Sequence, residues 1–148
     1  MATLRGIEFP EDLFYLVEKH VWAAPAAGGV VRLGLTPVGY SLLRNSLVAI
    51  SIQSGQLGKH VDRGKSIAMV ESLKYIGPLA APFAGVLVRG NAQVEANPDL
   101  AAADPYGEGW IAEMQPDDWE SARAELVTGE AAMAAYSQWL ESQSTSAE

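Results

Sequence analysis

The stretch Val70-Glu71-Ser72-Leu73-Lys74-Tyr75-Ile76-Gly77-Pro78-Leu79-Ala80-Ala81-Pro82-Phe83-Ala84-Gly85 decides the fold of this chain. The apolar run before Lys74 reads as a strand. Pro78 and Pro82 then forbid a helix, because proline lacks the amide hydrogen of a helical turn and restricts the residue before it. Lys74 is therefore expected at the tip of a hairpin between two strands, projecting from the body and reachable by a modifying enzyme. Lysines in surface turns are usually only solvated. The segment alone leaves both readings open, a modified lysine and an ordinary one.

Working outward, short strands punctuated by Gly and Pro fill most of the chain on both sides. The candidates are Leu13–Val17, Val30–Leu35, Leu47–Ile52, Ser66–Glu71, Gly85–Arg89 and Trp110–Met114. Strands this short and close together favour a barrel or sandwich over a parallel α/β sheet. One internal helix is expected after Thr36 as N-cap, with Pro37 at the first helical position and Leu42 and Leu43 on its apolar side. A short helical turn is expected near Asn97-Pro98. Asp104 to Trp110 reads as a tight structural turn leading into a buried strand. Asp117 to Arg123 and Glu130 to Glu141 are Ala- and Glu-rich and read as C-terminal helices, packed through Trp119, Met133, Tyr136 and Trp139. The face bearing Asp117, Asp118 and Glu120 is expected to be solvated. The whole chain, 1–148, is expected to be one domain: a β core over about 12–115, helices over 116–141 and a flexible tail over 142–148.

Composition excludes several chemistries. There are no cysteines among the 148 residues, so no disulfide, zinc-thiolate site or catalytic thiol can form. The two histidines, His20 and His60, lie in separate segments and fit neither a metal site nor a triad; both are expected to be structural or on the surface. Gly64-Lys65-Ser66 resembles the end of a phosphate loop, but the earlier glycine it requires would fall at Lys59. Lys65 then reads as a turn residue. A net charge of −8 disfavours nucleic acid. No apolar run suits a membrane helix, and Met1–Pro10 lacks a signal-peptide core. The expectation is a soluble, cytoplasmic protein with no nucleic-acid or membrane partner.

Glu71-Ser72-Leu73-Lys74 resembles the Glu-Ser-x-Lys lipoylation motif of the glycine cleavage H-protein family. Further motifs follow in the family's order. Pro82 and Gly85 are similar to its Pro-x-x-Gly, and Asn91 to the end of its Val-x-x-Asn. Asn97-Pro98-Asp99-Leu100 resembles its Asn-Pro-x-Leu, and Pro105-Tyr106-Gly107-Glu108-Gly109-Trp110 its Pro-Tyr-x-x-Gly-Trp. Upstream, His20-Val21-Trp22 and Gly34-Leu35-Thr36 resemble its His-Glu-Trp and Gly-Ile-Thr. The resemblance implies a mainly β barrel-sandwich hybrid of two small antiparallel sheets, like other lipoyl and biotinyl carriers, with one internal helix and C-terminal helices. It implies a non-catalytic carrier with lipoic acid joined by an amide to Lys74. Glu71, Ser72, Leu73 and Tyr75 would serve recognition of the site and form its groove. Tyr75, Leu73 and Phe83 read equally as groove wall and as ordinary core.

Two positions depart from the family. Its glutamate in His-Glu-Trp is Val21 here, and the aspartate usual four residues after the lysine is Pro78. Both carboxylates could hold a cationic aminomethyl cargo by charge-assisted hydrogen bonds. The run Lys74-Tyr75-Ile76-Gly77-Pro78 also resembles H-like lipoate-binding proteins of the heterodisulfide-reductase-like pathway of sulfur oxidation, as do Leu126-Val127-Thr128-Gly129 and Ala134-Ala135-Tyr136. The expectation is an arm that shuttles bound sulfur. Its partners would be a lipoate ligase or lipoyl synthesis enzymes, a heterodisulfide-reductase-like complex and a dihydrolipoamide dehydrogenase. The alternatives are glycine cleavage, with that system's enzymes as partners, and a non-lipoylated adaptor.

Overall fold

The computed structural model describes residues 2–4, 7–10, 12–42, 47–73 and 76–146. β1 (Ala2–Leu4) and β2 (Ile7–Phe9) form an N-terminal ribbon. β3 (Phe14–Leu16), β4 (Val21–Pro25) and β5 (Val31–Leu35) follow as an antiparallel meander. Helix α1 (Pro37–Leu42) leads to β6 (Leu47–Ile52), the two-residue β7 (His60–Val61), β8 (Ser66–Ser72), β9 (Ile76–Ala80) and β10 (Gly85–Gly90). Two short helices, α2 (Ala92–Ala96) and α3 (Asp99–Ala103), precede β11 (Ala112–Pro116). The chain ends with α4 (Trp119–Ala124), the two-residue β12 (Val127–Thr128) and α5 (Gly129–Ser146).

The strands form a seven-stranded sheet in the order β12-β3-β4-β5-β11-β10-β7 and a three-stranded sheet in the order β6-β8-β9. The ribbon pairs with neither sheet. Every strand pairing is antiparallel, and one isolated parallel bridge joins Leu57 to Leu87. The two sheets share one core. Ile50, Ile67, Val70 and Leu79 of the smaller sheet meet Val31, Leu33, Leu87 and Met114 of the larger. This is the expected mainly β sandwich.

Alternation assigns the faces of β3 and β4. Leu16, Val21 and Ala23 point into the main core, whereas Tyr15 and Trp22 point outward into a second cluster with Phe9, Val38, Ala132 and Tyr136. α5 covers that outer face: Tyr136 is fully buried, with its ring 4.6 Å from Phe9 and 5.9 Å from Tyr15. The two strand pairs β6–β8 and β10–β11 share a detail. Each shifts register at a valine that follows a leucine, and both valines, Val48 and Val88, are left exposed.

Several expectations shift. β4 was not foreseen, nor were the N-terminal ribbon and the two-residue strands. The strand expected at Trp110–Met114 begins at Ala112, because Trp110 still belongs to the preceding turn. The stretch 142–146, expected as tail, continues α5 as helix to Ser146. Thr36 does cap α1, accepting the Gly39 amide at 3.4 Å. Leu43 and the Leu42 side chain lie outside the described residues; among those described, Val38 and Tyr40 are the buried side chains of α1.

Candidate functional site

The candidate site is the β8–β9 hairpin at one end of the three-stranded sheet. Glu71 pairs with Ile76, Val70 with Gly77 and Met69 with Pro78. Lys74 and Tyr75 lie outside the described residues, bracketed by this register. Pro78 fits because β9 is an edge strand, where a missing amide donor is tolerated. Ser72 is 6% exposed and pairs with Leu47 on β6, so the strand is anchored up to the residue before the turn. Beyond it, Leu73 is 79% exposed and Ile76 59% exposed. Val48, beside Leu47, adds a third exposed apolar side chain, and Glu71 is also exposed. Of the expected site residues, Glu71 and Leu73 stand free at this end, while Ser72 is tucked into the sheet.

Sequence reasoning missed Val48 and Ile76. Neither breaks a pattern on its own; the bulge and the turn expose them. Of the two readings left open for Phe83, the core one holds. It lies three residues beyond the far end of β9, is 2% exposed, and packs edge-on against Trp119 at 5.9 Å. Its role is core packing. Val21 is fully buried in the main core.

The other matched motifs build the scaffold. Trp22 pairs with Gly34, and a Cβ at Gly34 would stand 2.6 Å from the indole. Only glycine lets the ring lie flat there. Thr36, fully buried, also accepts a hydrogen bond from the Tyr136 hydroxyl at 3.3 Å, which ties α1 to α5. Asn91 caps α2, its Oδ1 accepting the Gln93 amide at 3.0 Å. Its Nδ2 donates to the carbonyls of Glu108 at 3.0 Å and Trp110 at 2.7 Å, clamping the 104–110 turn onto β10. That turn closes on Asp104, whose carbonyl accepts from the amides of Gly107 and Gly109 and whose carboxylate accepts from Glu108. At Gly109 a side chain would collide with the backbone of Ala101 and Asp104.

The titratable residues away from the hairpin have local roles. His20 sits in a left-handed turn (φ 59°) with its ring 4.7 Å from Trp139, and burial lowers its pKa to about 4. His60 is exposed; its Nε2 lies 2.6 Å from Asp117 Oδ2, and that hydrogen bond raises its pKa. Asp118 caps α4, accepting from the Glu120 amide at 3.2 Å and the Ser121 hydroxyl at 2.8 Å. The acidic face expected to be merely solvated thus supplies a cap and a histidine partner. Lys65 is exposed in a turn, its amide donating to the Asp62 carbonyl. Among the described residues no group of three or more His, Asp and Glu could hold a metal ion. Among the same residues no helix is long and apolar enough to cross a membrane.

Comparison with known proteins agrees with this geometry. The family described as "Glycine cleavage H-protein" matches residues 14–139. The chain is 38% identical over 137 residues to the Aquifex aeolicus (strain VF5) protein named glycine cleavage system H protein 2, covering 93% of this chain and 83% of that one. A Sulfurisphaera tokodaii protein, named probable glycine cleavage system H protein 2, is 34% identical over 145 residues, covering 97% and 95%. The crystal structure of a glycine cleavage system H protein from Mycobacterium marinum superposes with a TM-score of 0.70 at 35% identity, covering 82% of this chain and 94% of the other. The chain belongs to the glycine cleavage H-protein family, non-catalytic carriers that hold lipoic acid covalently on a lysine.

Proposed function

We propose that this chain carries its lipoyl arm on Lys74 and shuttles bound sulfur between the enzymes of a heterodisulfide-reductase-like oxidation system. Lys74 follows Glu71-Ser72-Leu73 and falls between the paired Glu71 and Ile76, where the strands end and the chain must turn. The surroundings suit an uncharged arm. Amide formation removes the lysine charge, and Leu73, Ile76 and Val48 offer exposed apolar surface against which a neutral chain can rest. When bound, the dithiolane supplies the two sulfurs that this cysteine-free chain lacks.

The observation that carries the cargo reading is Pro78, exposed on β9 four residues after Lys74, where the family usually has an aspartate. A cationic aminomethyl group would lose a charge-assisted hydrogen bond there, about 1.5–3 kcal/mol. The other departure, Val21, replaces the glutamate of the family's His-Glu-Trp with a fully buried aliphatic side chain. Glycine cleavage is the second reading, favoured by the names of the relatives above. A lipoate ligase, or lipoyl synthesis enzymes, would load the arm in either setting, and a dihydrolipoamide dehydrogenase would reoxidise it.

Protein made with a competent lipoate ligase should gain one lipoyl mass increment, mapped to Lys74. Lys74→Arg should lose it and keep the fold. Modification at Lys19, Lys59 or Lys65 would overturn the assignment. The lipoylated protein should accept sulfur as a persulfide or trisulfide seen by mass spectrometry, and should be a poor acceptor for glycine decarboxylase. Because Val21 is buried, Val21→Glu would strand a carboxylate in the core. Pro78→Asp, at an exposed edge position, is the cleaner variant and should raise glycine-dependent loading. Efficient glycine-dependent turnover without sulfur loading would establish glycine cleavage instead.

A further inference from the structure

We propose that the outer face of β5, β11 and β10 is a docking surface for a carboxylate-bearing segment of a partner protein. It rests on the carrier reading in one respect: the partner is taken to be an enzyme that handles the arm. Arg32 on β5, Glu113 on β11 and Arg89 on β10 are direct cross-strand neighbours. Glu113, with a side chain 7% exposed, gives one carboxylate oxygen to each arginine: Oε2 to Arg32 Nε at 2.8 Å and Oε1 to an Arg89 terminal nitrogen at 2.8 Å. Both guanidinium groups also lie over the Trp110 ring, 4.9 Å and 5.2 Å from its centre. Glu113 and the indole therefore fix both cations, so little side-chain entropy remains to be lost on binding.

The fixed pair is not consumed by the fold. One carboxylate between two guanidiniums leaves one positive charge in excess within the row, on a chain whose net charge is −8; Glu108 lines the pocket beside Arg89 and Trp110 but forms no ion pair with either arginine. Each guanidinium carries five N–H donors, and Arg32 and Arg89 remain 43% and 58% exposed. Val88, at 45%, adds exposed apolar surface beside Arg89, and Leu57, at 41%, bridges the neighbouring Leu87. Arginine and tryptophan flanked by aliphatic groups is the composition of energetic centres in protein interfaces. The face is also remote from the arm. Gly90 packs against Ile52, at the opposite end of β6 from Leu47, which pairs beside the lysine hairpin. Five residues of strand separate these ends, roughly 16 Å. A partner could grip this face while the arm stays free.

Charge selects the occupant. Nucleic acid or an anionic membrane needs several cations in a track, and a strongly acidic chain repels polyanions. A single excess charge with two ordered guanidiniums fits one or two Asp or Glu side chains, and Val88 and Leu57 fit an apolar neighbour.

The test uses the full-length lipoylated protein, labelled with nitrogen-15, and the peptide acetyl-Gly-Leu-Glu-Glu-Leu-Gly-amide. The peptide should shift the Trp110 indole N–H and the Nε–H signals of Arg32 and Arg89, and its glutamine counterpart should not. Arg89→Gln should weaken binding by about tenfold or more, with Glu113 still paired to Arg32; Val88→Ser, at an exposed site, supplies a second variant that keeps the ion pairs. No Trp110 response at millimolar peptide, equal responses to both peptides, or stronger responses to phosphatidylserine vesicles or oligothymidylate would overturn the proposal. Self-association abolished by Arg89→Gln would assign the face to a second copy and overturn it too. The same titration on unlipoylated Lys74→Arg should be unchanged. Docking lost while Lys74 is still lipoylated defeats only this inference, and lipoylation lost while docking persists defeats only the Lys74 assignment.

Discussion

Replacing Asn91 with alanine removes three hydrogen bonds at one buried point. The side chain is 5% exposed, caps α2 through Oδ1, and reaches two carbonyls of the 104–110 turn through Nδ2. A lost cap costs ~1 kcal/mol. Each carbonyl left without its donor adds about 1–1.5 kcal/mol. The expected loss is thus about 3–4 kcal/mol, and at roughly 2–4 °C per kcal/mol for a domain of this size the melting temperature should fall by about 10 °C. Asn91→Asp separates the parts. It keeps the cap acceptor but turns a carboxylate oxygen toward two carbonyls, so at pH 7 it should be at least as destabilising as alanine. Acidification should recover part of the loss, since a protonated carboxyl donates once. Urea unfolding followed by circular dichroism measures both variants. A loss under about 1 kcal/mol for alanine, or an aspartate variant as stable as the parent at pH 7, would refute the clamp. Lipoylation should survive either change, because the hairpin belongs to the other sheet.

Gly34→Ala should destabilise by ~1–3 kcal/mol through its clash with the Trp22 indole, and Trp22→Phe in the same chain should relieve part of it in thermal melts. His20 predicts acid sensitivity. As the pH falls from 6.5, the unfolded imidazole takes a proton first, while the buried native ring resists until about pH 4. Stability is therefore full above about pH 6.5 and falls by about 3 kcal/mol by pH 4. His20→Gln should flatten that part of a pH–stability curve, and an unchanged slope would exclude His20 as its source.

The sequence was most legible where pattern and chain segment coincide. β6 spans the expected Leu47–Ile52, and α1 starts behind Thr36 and Pro37 as capping chemistry requires. β4 was invisible because Val21-Trp22-Ala23-Ala24-Pro25 has weak strand propensity. Pairing with β3 on one side and β5 on the other imposes its conformation. Two-residue strands such as β7 and β12 are too short to show any period. At the site, Glu71 and Leu73 could be placed from the motif, but the exposure of Val48 and Ile76 follows from a bulge and a register. The Arg32–Glu113–Arg89 row could not be read at all: its members lie on three strands, with Arg32 and Glu113 81 positions apart. Asn91 was matched as a motif residue, yet its clamp exists only once the 104–110 turn folds back on β10.

The borders of the large sheet have a consequence for a carrier's life in solution. β12 and β7, the outermost strands, are two residues long. On the β12 side, α5 also packs beside β3 and the Thr128 hydroxyl is tied to the Leu13 carbonyl at 2.6 Å. Long open borders recruit strands from neighbouring molecules and seed aggregates. A carrier collides with its own copies as well as with other proteins. At the borders of the large sheet those encounters find no long ladder to extend; on the smaller sheet the edge strand β9 is blunted by Pro78.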